Sequence, residues 1–482
     1  MRALALILCL VWGQAWATDW YVRPLAGEYG TEDGTSLANA FDGFADMAAS
    51  YASIAAGDTV CYSGDFVVAD AQSAPTYLHY FNDAGSAGNP IILDGDCDGD
   101  GVRATIDGGG TQARVMQIAD NNNLTIKNLE LRNGTTRGML LYNVATDATD
   151  RGAIVVDNVY VHDIEGGSTP IGVDSRGLGV TITNSTWEDI GEDGIYHKGA
   201  NSVISGNTVR RVSTEGTNGD CIQLSGAYLN FVMDGNYCDH TNVASKQCFI
   251  ASVPTDAGYG VMSDNTCLRP AGEGTSATYG IYVETASGNS TILRNYYNGG
   301  RTAIQVLGAG TFDIRGNASV VLDSDASTAA RCISVGATSG QTDVENNSCT
   351  GGYDGIVSDS ATVAVIRNNA VANVTNDCID KKAGDTESYN KCASYGGDLV
   401  SNDGTATSAG TSTAAAVMDW VGGNTPTTAA GFKLTSGSAL RRVGKDLNIG
   451  NIQDHGNRAF AHPPSIGAWE VASGDAAART AR

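Results

Sequence analysis

One short pattern recurs along most of this chain. An apolar strand is followed by Asn, then one residue, then Cys or a small or apolar residue. It reads TIKN at Asn128, VVDN at Asn158, TITN at Asn184, ISGN at Asn207, MDGN at Asn236 and MSDN at Asn265. It continues as ILRN at Asn295, IRGN at Asn317, VENN at Asn347, IRNN at Asn369 and SYN at Asn390. These Asn lie 21 to 30 residues apart. A fixed unit with loops of variable length predicts a solenoid, in which each turn packs only on its neighbours. The repeat is therefore also a register for deciding which side chains face out.

A second strand precedes each Asn. It reads GMLLYN from Gly138, GVDSRG from Gly172, GIYHKG from Gly194 and CIQLSG from Cys221. It returns as CFIASV from Cys248, GIYVET from Gly280, AIQVLG from Ala303, CISVGA from Cys332, GIVSDS from Gly355 and CIDKKA from Cys378. Side chains alternate between the two faces of a strand. Ile195, Ile222, Phe249, Ile281, Ile304 and Ile333 are thus expected inside. The variable positions form two outer columns. One runs Leu140, Asp174, Tyr196, Gln223, Ile250, Tyr282, Gln305 and Ser334; the other runs Tyr142, Arg176, Lys198, Ser225, Ser252, Glu284 and Leu307. The same register puts His197 beside Leu224, Ala251 and Val283, so it is expected as a hydrogen-bonded interior histidine.

The chain carries 61 Gly and 9 Pro, and no long stretch keeps a helical apolar period. An all-β protein is expected. Residues 1–17 read as a signal peptide, with Arg2, an apolar run from Ala3 to Trp12 and an Ala15-Trp16-Ala17 cleavage site. Secretion, extracellular or periplasmic, follows, and ten Cys remain in the mature chain. An even Cys count in a secreted chain suggests disulfides. Cys221/Cys238, Cys248/Cys267, Cys332/Cys349 and Cys378/Cys392 occupy the same two slots of a unit, and Cys61/Cys97 remain. Units lacking one Cys lack both, as at Gly194/Val209, which favours bonding within a unit over bonding between turns. Gly355 would break a stack running from Cys332 to Cys378.

The formal charge of −24 argues against nucleic acid and anionic membranes as partners. It also disfavours a polyanionic substrate unless basic groups are concentrated locally. No stretch after the leader is long and apolar enough to span a membrane, and a monomer is expected.

Two short strands per turn, parallel stacking and an Asn at a fixed turn resemble the right-handed parallel β-helix of the pectate lyase superfamily. The resemblance covers roughly Asn122 to Tyr395. It implies that the turn Asn stack as a ladder, satisfying backbone polar groups at a bend. The implied organisation is a signal peptide (1–17), N-terminal turns and cap (18–121), a β-helix core (122–395) in a solenoid of about ten or more turns, and C-terminal turns with a closing strand (396–482). PSIGAWEV at Pro464 resembles that closing strand.

The resemblance also implies a secreted enzyme acting on an extracellular polysaccharide. Asp174, Arg176, Tyr196 and Lys198 form one polar patch, with Gln223 beside it. β-Elimination of a uronic acid polymer needs a cation on the carboxylate, a base for the adjacent proton and an acid for the leaving oxygen. Arg176 fits the first role and Lys198 or Tyr196 the second, with His240 as a further acid or base. Asp174, Gln223, Tyr142, Glu284 and Tyr282 are the expected substrate contacts. Alginate and dermatan lyases of this superfamily pair a Lys base with an Arg on nearby turns. Here the order is reversed.

A glycoside hydrolase is the alternative, using carboxylates among Asp174, Asp193, Asp220 and Glu284. The G-H-G, R-I-K and D-D signatures of polygalacturonase-like enzymes are missing, as is the D-P-H of mannuronan epimerases. A glycan-binding adhesin is the third reading. Asp94, Asp96, Asp98 and Asp100 alternate with small residues as calcium loops do. A structural Ca²⁺ is expected there, with a solvated acidic turn as the alternative. No His/Cys cluster has zinc-ligand spacing.

Overall fold

In a computed structural model, the described residues are 17–433 except 26, 120–122, 143–153, 216–218, 227–229, 241–246, 254–257, 270–277, 286–287, 323–329, 339, 360–363, 396–399 and 402–427. The expected signal peptide up to Trp16 and the closing strand expected at Pro464 lie outside them.

The chain is a parallel β-helix. Each turn contributes three strands, one more than the sequence pattern suggested. The Asn sheet collects the strands that end at the recurring Asn. It has fifteen strands in parallel register, among them Leu124–Lys127, Ile154–Asp157, Thr181–Thr183 and Ser202–Ser205. A return sheet follows each Asn, with strands such as Tyr160–Ile164, Thr186–Ile190, Thr208–Val212 and Tyr237–Asp239. The groove sheet carries the second recurring strand. It includes Ile171–Arg176, Ile195–Lys198, Ile222–Ser225, Gln247–Val253 and Tyr279–Thr285. In two early turns, Ala104–Ala119 and Leu129–Tyr142, one long strand serves both the return and the groove sheet. His162, Arg210 and Arg211 lie on return strands.

The core fills the tube. Ile195, Ile222, Phe249, Ile281, Ile304 and Ile333 are all buried inside it. At the N-terminal end the helix Gly43–Ala49 buries Phe44 and Met47. Phe44 stacks on Phe66 and on His79, each at 4.3 Å between ring centroids.

The Asn ladder exists, with a shift that the sequence pattern hid. Asn207, Asn236, Asn265, Asn295, Asn317, Asn347, Asn369 and Asn390 are its members. Each donates its side-chain amide, at 3.0 Å, to the Oδ1 of the next. The same Oδ1 also accepts the backbone N–H of the preceding member. Asn128, Asn158 and Asn184 sit one residue earlier in the turn, because Thr183 pairs with Ser205 and so Asn184 aligns with Gly206. Their φ values of 51° to 57° place them in the left-handed region that Asn tolerates. In those turns Leu129, Val159 and Ser185 occupy the ladder position. Ser185 still joins its end, donating its N–H to Asn207 Oδ1 at 3.1 Å.

The five disulfides pair Cys61–Cys97, Cys221–Cys238, Cys248–Cys267, Cys332–Cys349 and Cys378–Cys392. The last four join return and groove strands of one turn. Where the pair is missing, a bulky residue on the return strand leans over the first slot. A Cβ on Gly194 would lie 2.5 Å from Val209, and one on Gly280 would lie 2.3 Å from Tyr297. The Gly/Cys alternation thus has a steric cause: the slot takes either a disulfide or a glycine beneath a large neighbour.

Candidate active site

The register confirms the first outer column. Leu140, Asp174, Tyr196, Gln223, Ile250, Tyr282, Gln305 and Ser334 pair in succession across the groove sheet. In the second column Arg176 pairs with Lys198, and Ser225, Ser252, Glu284 and Leu307 follow one another.

A third column exists that the alternation rule missed. The strand bends at the Gly/Cys slot, so two successive residues point inward and the residue before them points out. In the early turns this position holds Tyr77, Arg114 and Arg137, which pair in that order. Later it holds Asp193, Asp220, Gln247 and Tyr279. A visible signal exists in the sequence: a polar residue stands just before the Gly or Cys of almost every unit, as in Arg137-Gly138, Asp193-Gly194 and Asp220-Cys221.

Arg137 changes the patch. Asp174 is only 1% exposed although it lies on the outer face. Its carboxylate accepts Arg137 Nε at 3.1 Å, Arg176 Nε at 3.2 Å and Arg176 Nη2 at 3.2 Å. Charge-assisted bonds from two guanidinium groups offset the cost of burying this carboxylate. Arg114 donates to Gln117 Oε1 at 2.7 Å. A cavity of about 600 Å³ opens here, lined by these three arginines together with Gln117, Thr136, Leu140, Ser168, Thr169 and Asp174. Lys198 is exposed on the next turn, its Nζ 5.1 Å from the Tyr196 ring centroid. Arg114, Arg137, Arg176 and Lys198 thus occupy four successive turns.

Asp193 and Asp220, neighbours in the third column, are buried. Asp193 Oδ1 accepts the N–H of Asp220 at 2.8 Å, and Asp220 Oδ1 accepts that of Gln247 at 3.0 Å. They form a short carboxylate ladder along the edge of the groove. Desolvation pushes Asp193 up to about 7; the Asp220 N–H and Arg137 oppose this, and the charges of Glu192 and Asp174 add to it. Glu192 is raised as well, again by desolvation.

The other expected residues divide. Gln223 is half-buried beside Tyr196, and Tyr282 donates its hydroxyl to Glu284 Oε2 at 3.0 Å, three strands beyond Tyr196. Tyr142 is placed by its strand alone, opposite Ala119. Its side chain lies outside the described residues. His240 is corrected as an acid or base for a polymer. It is fully buried in the core, with Nε2 3.1 Å from both Cys221 Sγ and the Gln247 carbonyl, and desolvation lowers it to about 3. His197 is interior, as its register requires. Its ring nitrogens meet Ser175 Oγ at 3.1 Å and Ser202 Oγ at 2.7 Å, and burial lowers it to about 4.

The acidic loop narrows. Asp94 is buried and bonded to Lys127 Nζ at 3.0 Å and Asn128 Nδ2 at 2.8 Å, so it leaves the candidate ligand set. Asp96, Asp98 and Asp100 each offer a carboxylate oxygen within 4.8 Å of the others. These hard oxygens suit Ca²⁺, although three carboxylates supply only part of its usual six to eight ligands. Each carboxylate also accepts a backbone N–H of the loop. The Cys61–Cys97 disulfide ties the loop down.

No protein-family profile matches the sequence, and no curated protein is similar to it in sequence. Among solved structures, a pectate lyase, Pel9A, aligns at 14% identity and a TM-score of 0.46, over 95% of this chain and 98% of its own. The GH136 lacto-N-biosidase from Eubacterium ramulus aligns at 13% identity and 0.45, over 82% of this chain and 67% of its own. A mannuronic-acid-specific polysaccharide family 6 lyase from human gut microbiota aligns at 10% identity and 0.44, over 82% and 91%. At these values the assignment of the fold rests on the strand register rather than on the likenesses. Among the described residues, no helix is long and apolar enough to cross a membrane.

Proposed function

We propose that this protein is a secreted enzyme that cleaves a uronic-acid-containing polysaccharide by β-elimination in the groove around Asp174. One observation carries the reading. Four cations, Arg114, Arg137, Arg176 and Lys198, stand on four successive turns of a chain whose formal charge is −24. This is the local concentration of positive charge that an anionic substrate requires.

In this reading Arg137 and Arg176 face the substrate carboxylate and stabilise the charge that develops on it. Asp174 is a positioning residue that holds both guanidinium groups in place. Lys198 or Tyr196 takes the proton next to the carboxylate. The released electron pair forms the carbon–carbon double bond, the bond to the glycosidic oxygen breaks, and that oxygen takes a proton from an acid. Arg176 stands beside Lys198 in register.

A hydrolase is the second reading, favoured by Asp193. A carboxyl held protonated near neutral pH is what a general acid needs. Its burial and its bond to Asp220 instead suit a structural carboxylate. Screening alginate, pectate, glycosaminoglycans and neutral glycans separates the readings. A lyase yields the ultraviolet absorbance of an unsaturated uronate; a hydrolase yields reducing ends without it; an adhesin yields neither. The calcium expectation rests on Asp96, Asp98 and Asp100, and a melting temperature unmoved by chelator or added Ca²⁺ would dismiss it.

A further inference from the structure

We infer that two tyrosine pairs, Tyr77/Tyr80 and Tyr279/Tyr282, are sugar-stacking subsites that bracket the cationic stretch, so that a polysaccharide lies along the axis of the solenoid. The inference rests on the anionic-polysaccharide reading above and specifies how that substrate is held.

The two pairs repeat one geometry. Tyr77 and Tyr80 have ring centroids 5.2 Å apart and an interplanar angle of 31°. For Tyr279 and Tyr282 the values are 5.2 Å and 32°. Tyr80 and Tyr282 lie in the first outer column of the groove sheet, and Tyr77 and Tyr279 in the third. Tyr80, Gln117, Leu140, Asp174, Tyr196, Gln223, Ile250 and Tyr282 pair in unbroken succession. Seven strand steps separate the two ends, roughly 34 Å at the spacing of hydrogen-bonded strands. That span accommodates several consecutive sugar rings.

The chemistry is complementary. A sugar ring has an apolar C–H face and a polar rim, and a half-buried tyrosine offers an apolar ring with a polar tip. All four tyrosines are half-buried. Cations hold the carboxylates of a polyuronate but do little for its ring faces, which tyrosines cover. Both pairs stand away from the proposed base. Tyr80 is four strands before Tyr196, and Tyr282 is three strands after it. The bond that breaks therefore lies between the two pairs, and each pair senses only a long chain.

The test uses the full chain with Lys198→Ala to suppress turnover, titrated calorimetrically with polygalacturonate, with alginate and with a trisaccharide of each. Tyr80→Ala and Tyr282→Ala should each weaken polymer binding about five- to tenfold. Tyr282→Ala should leave the trisaccharide unaffected. Tyr80→Phe and Tyr282→Phe keep the ring and should bind like the parent, which separates stacking from a folding defect. Polymer affinity retained in both alanine variants, but lost in Arg137→Ala, overturns the tyrosine subsites and leaves the anionic groove standing. Affinity retained in Arg137→Ala, or no binding of either polymer by the parent, overturns both.

Discussion

The turns up to Lys198 and the turns after it are built differently. In the first group Leu129, Val159 and Ser185 hold the ladder position, and the sequence has no cysteine between Cys97 and Cys221. In the second group eight Asn form a continuous ladder, and four turns carry an internal disulfide. The cationic groove lies in the first group. Along the first outer column, the ionic groups give way to Ile250, Tyr282, Gln305, Ser334 and Val357, none of them a cation or a carboxylate. The chain separates its two tasks along one axis. The ladder and disulfides stiffen the later turns, and the earlier turns carry ionic groups whose burial costs stability.

The largest effect should come from the groove. Lys198→Ala should lower kcat about 10²–10⁴-fold if Lys198 is the base, with an unchanged melting temperature because the side chain is exposed. Retained turnover removes Lys198 from that role. Arg137→Ala should destabilise the first group by about 3–5 kcal/mol, because Asp174 keeps only Arg176. Adding Asp174→Ala should recover part of the loss, and strict additivity of the two changes in denaturant titrations would deny their coupling.

The ladder provides the matching test on the other side. Asn265 accepts two hydrogen bonds from Asn236 and donates to Met233 and Asn295, all buried. Asn265→Ala should cost about 3–4 kcal/mol through the groups left unpaired. Asn184→Ala, outside the ladder, should cost about 1 kcal/mol. Equal losses would erase the distinction between the two groups of turns.

The last test is a pH dependence. Asp193 is raised to about 7 in the folded chain, so folding retains its proton above the ordinary aspartate range. Its contribution is fully present at low pH and is lost as pH rises through about 7. Asp193→Asn removes this loss. The variant should therefore gain stability relative to the parent as pH rises from about 4 to about 7, with no further gain above that. A difference in melting temperature that is flat with pH would show that Asp193 does not titrate there.

Much of this was legible in the repeat. Its register placed His197 inside, paired the Cys within turns and brought Arg176 beside Lys198, because strand alternation and stacking follow from backbone geometry alone. Three features escaped it. The return strand after each Asn is short and variable in sequence. Asn128, Asn158 and Asn184 mimic ladder residues because Asn suits both the ladder position and the left-handed position before it. Arg114 and Arg137 were missed because the bend at the Gly/Cys slot breaks strict alternation. His240 follows the same lesson: a polar residue just beyond a strand was assigned to the surface, and the core took it in.

The ladder has a direction. Each Asn from Asn207 to Asn369 gives one amide N–H to the next member and one to a backbone carbonyl of the turn before. Among the described residues Asn390 is the last member. It donates to the Ile366 carbonyl at 2.9 Å and to Glu387 Oε2 at 3.2 Å. A buried carboxylate thus takes the N–H that every earlier member gives to its successor. The row therefore ends on an acceptor, which closes the ladder.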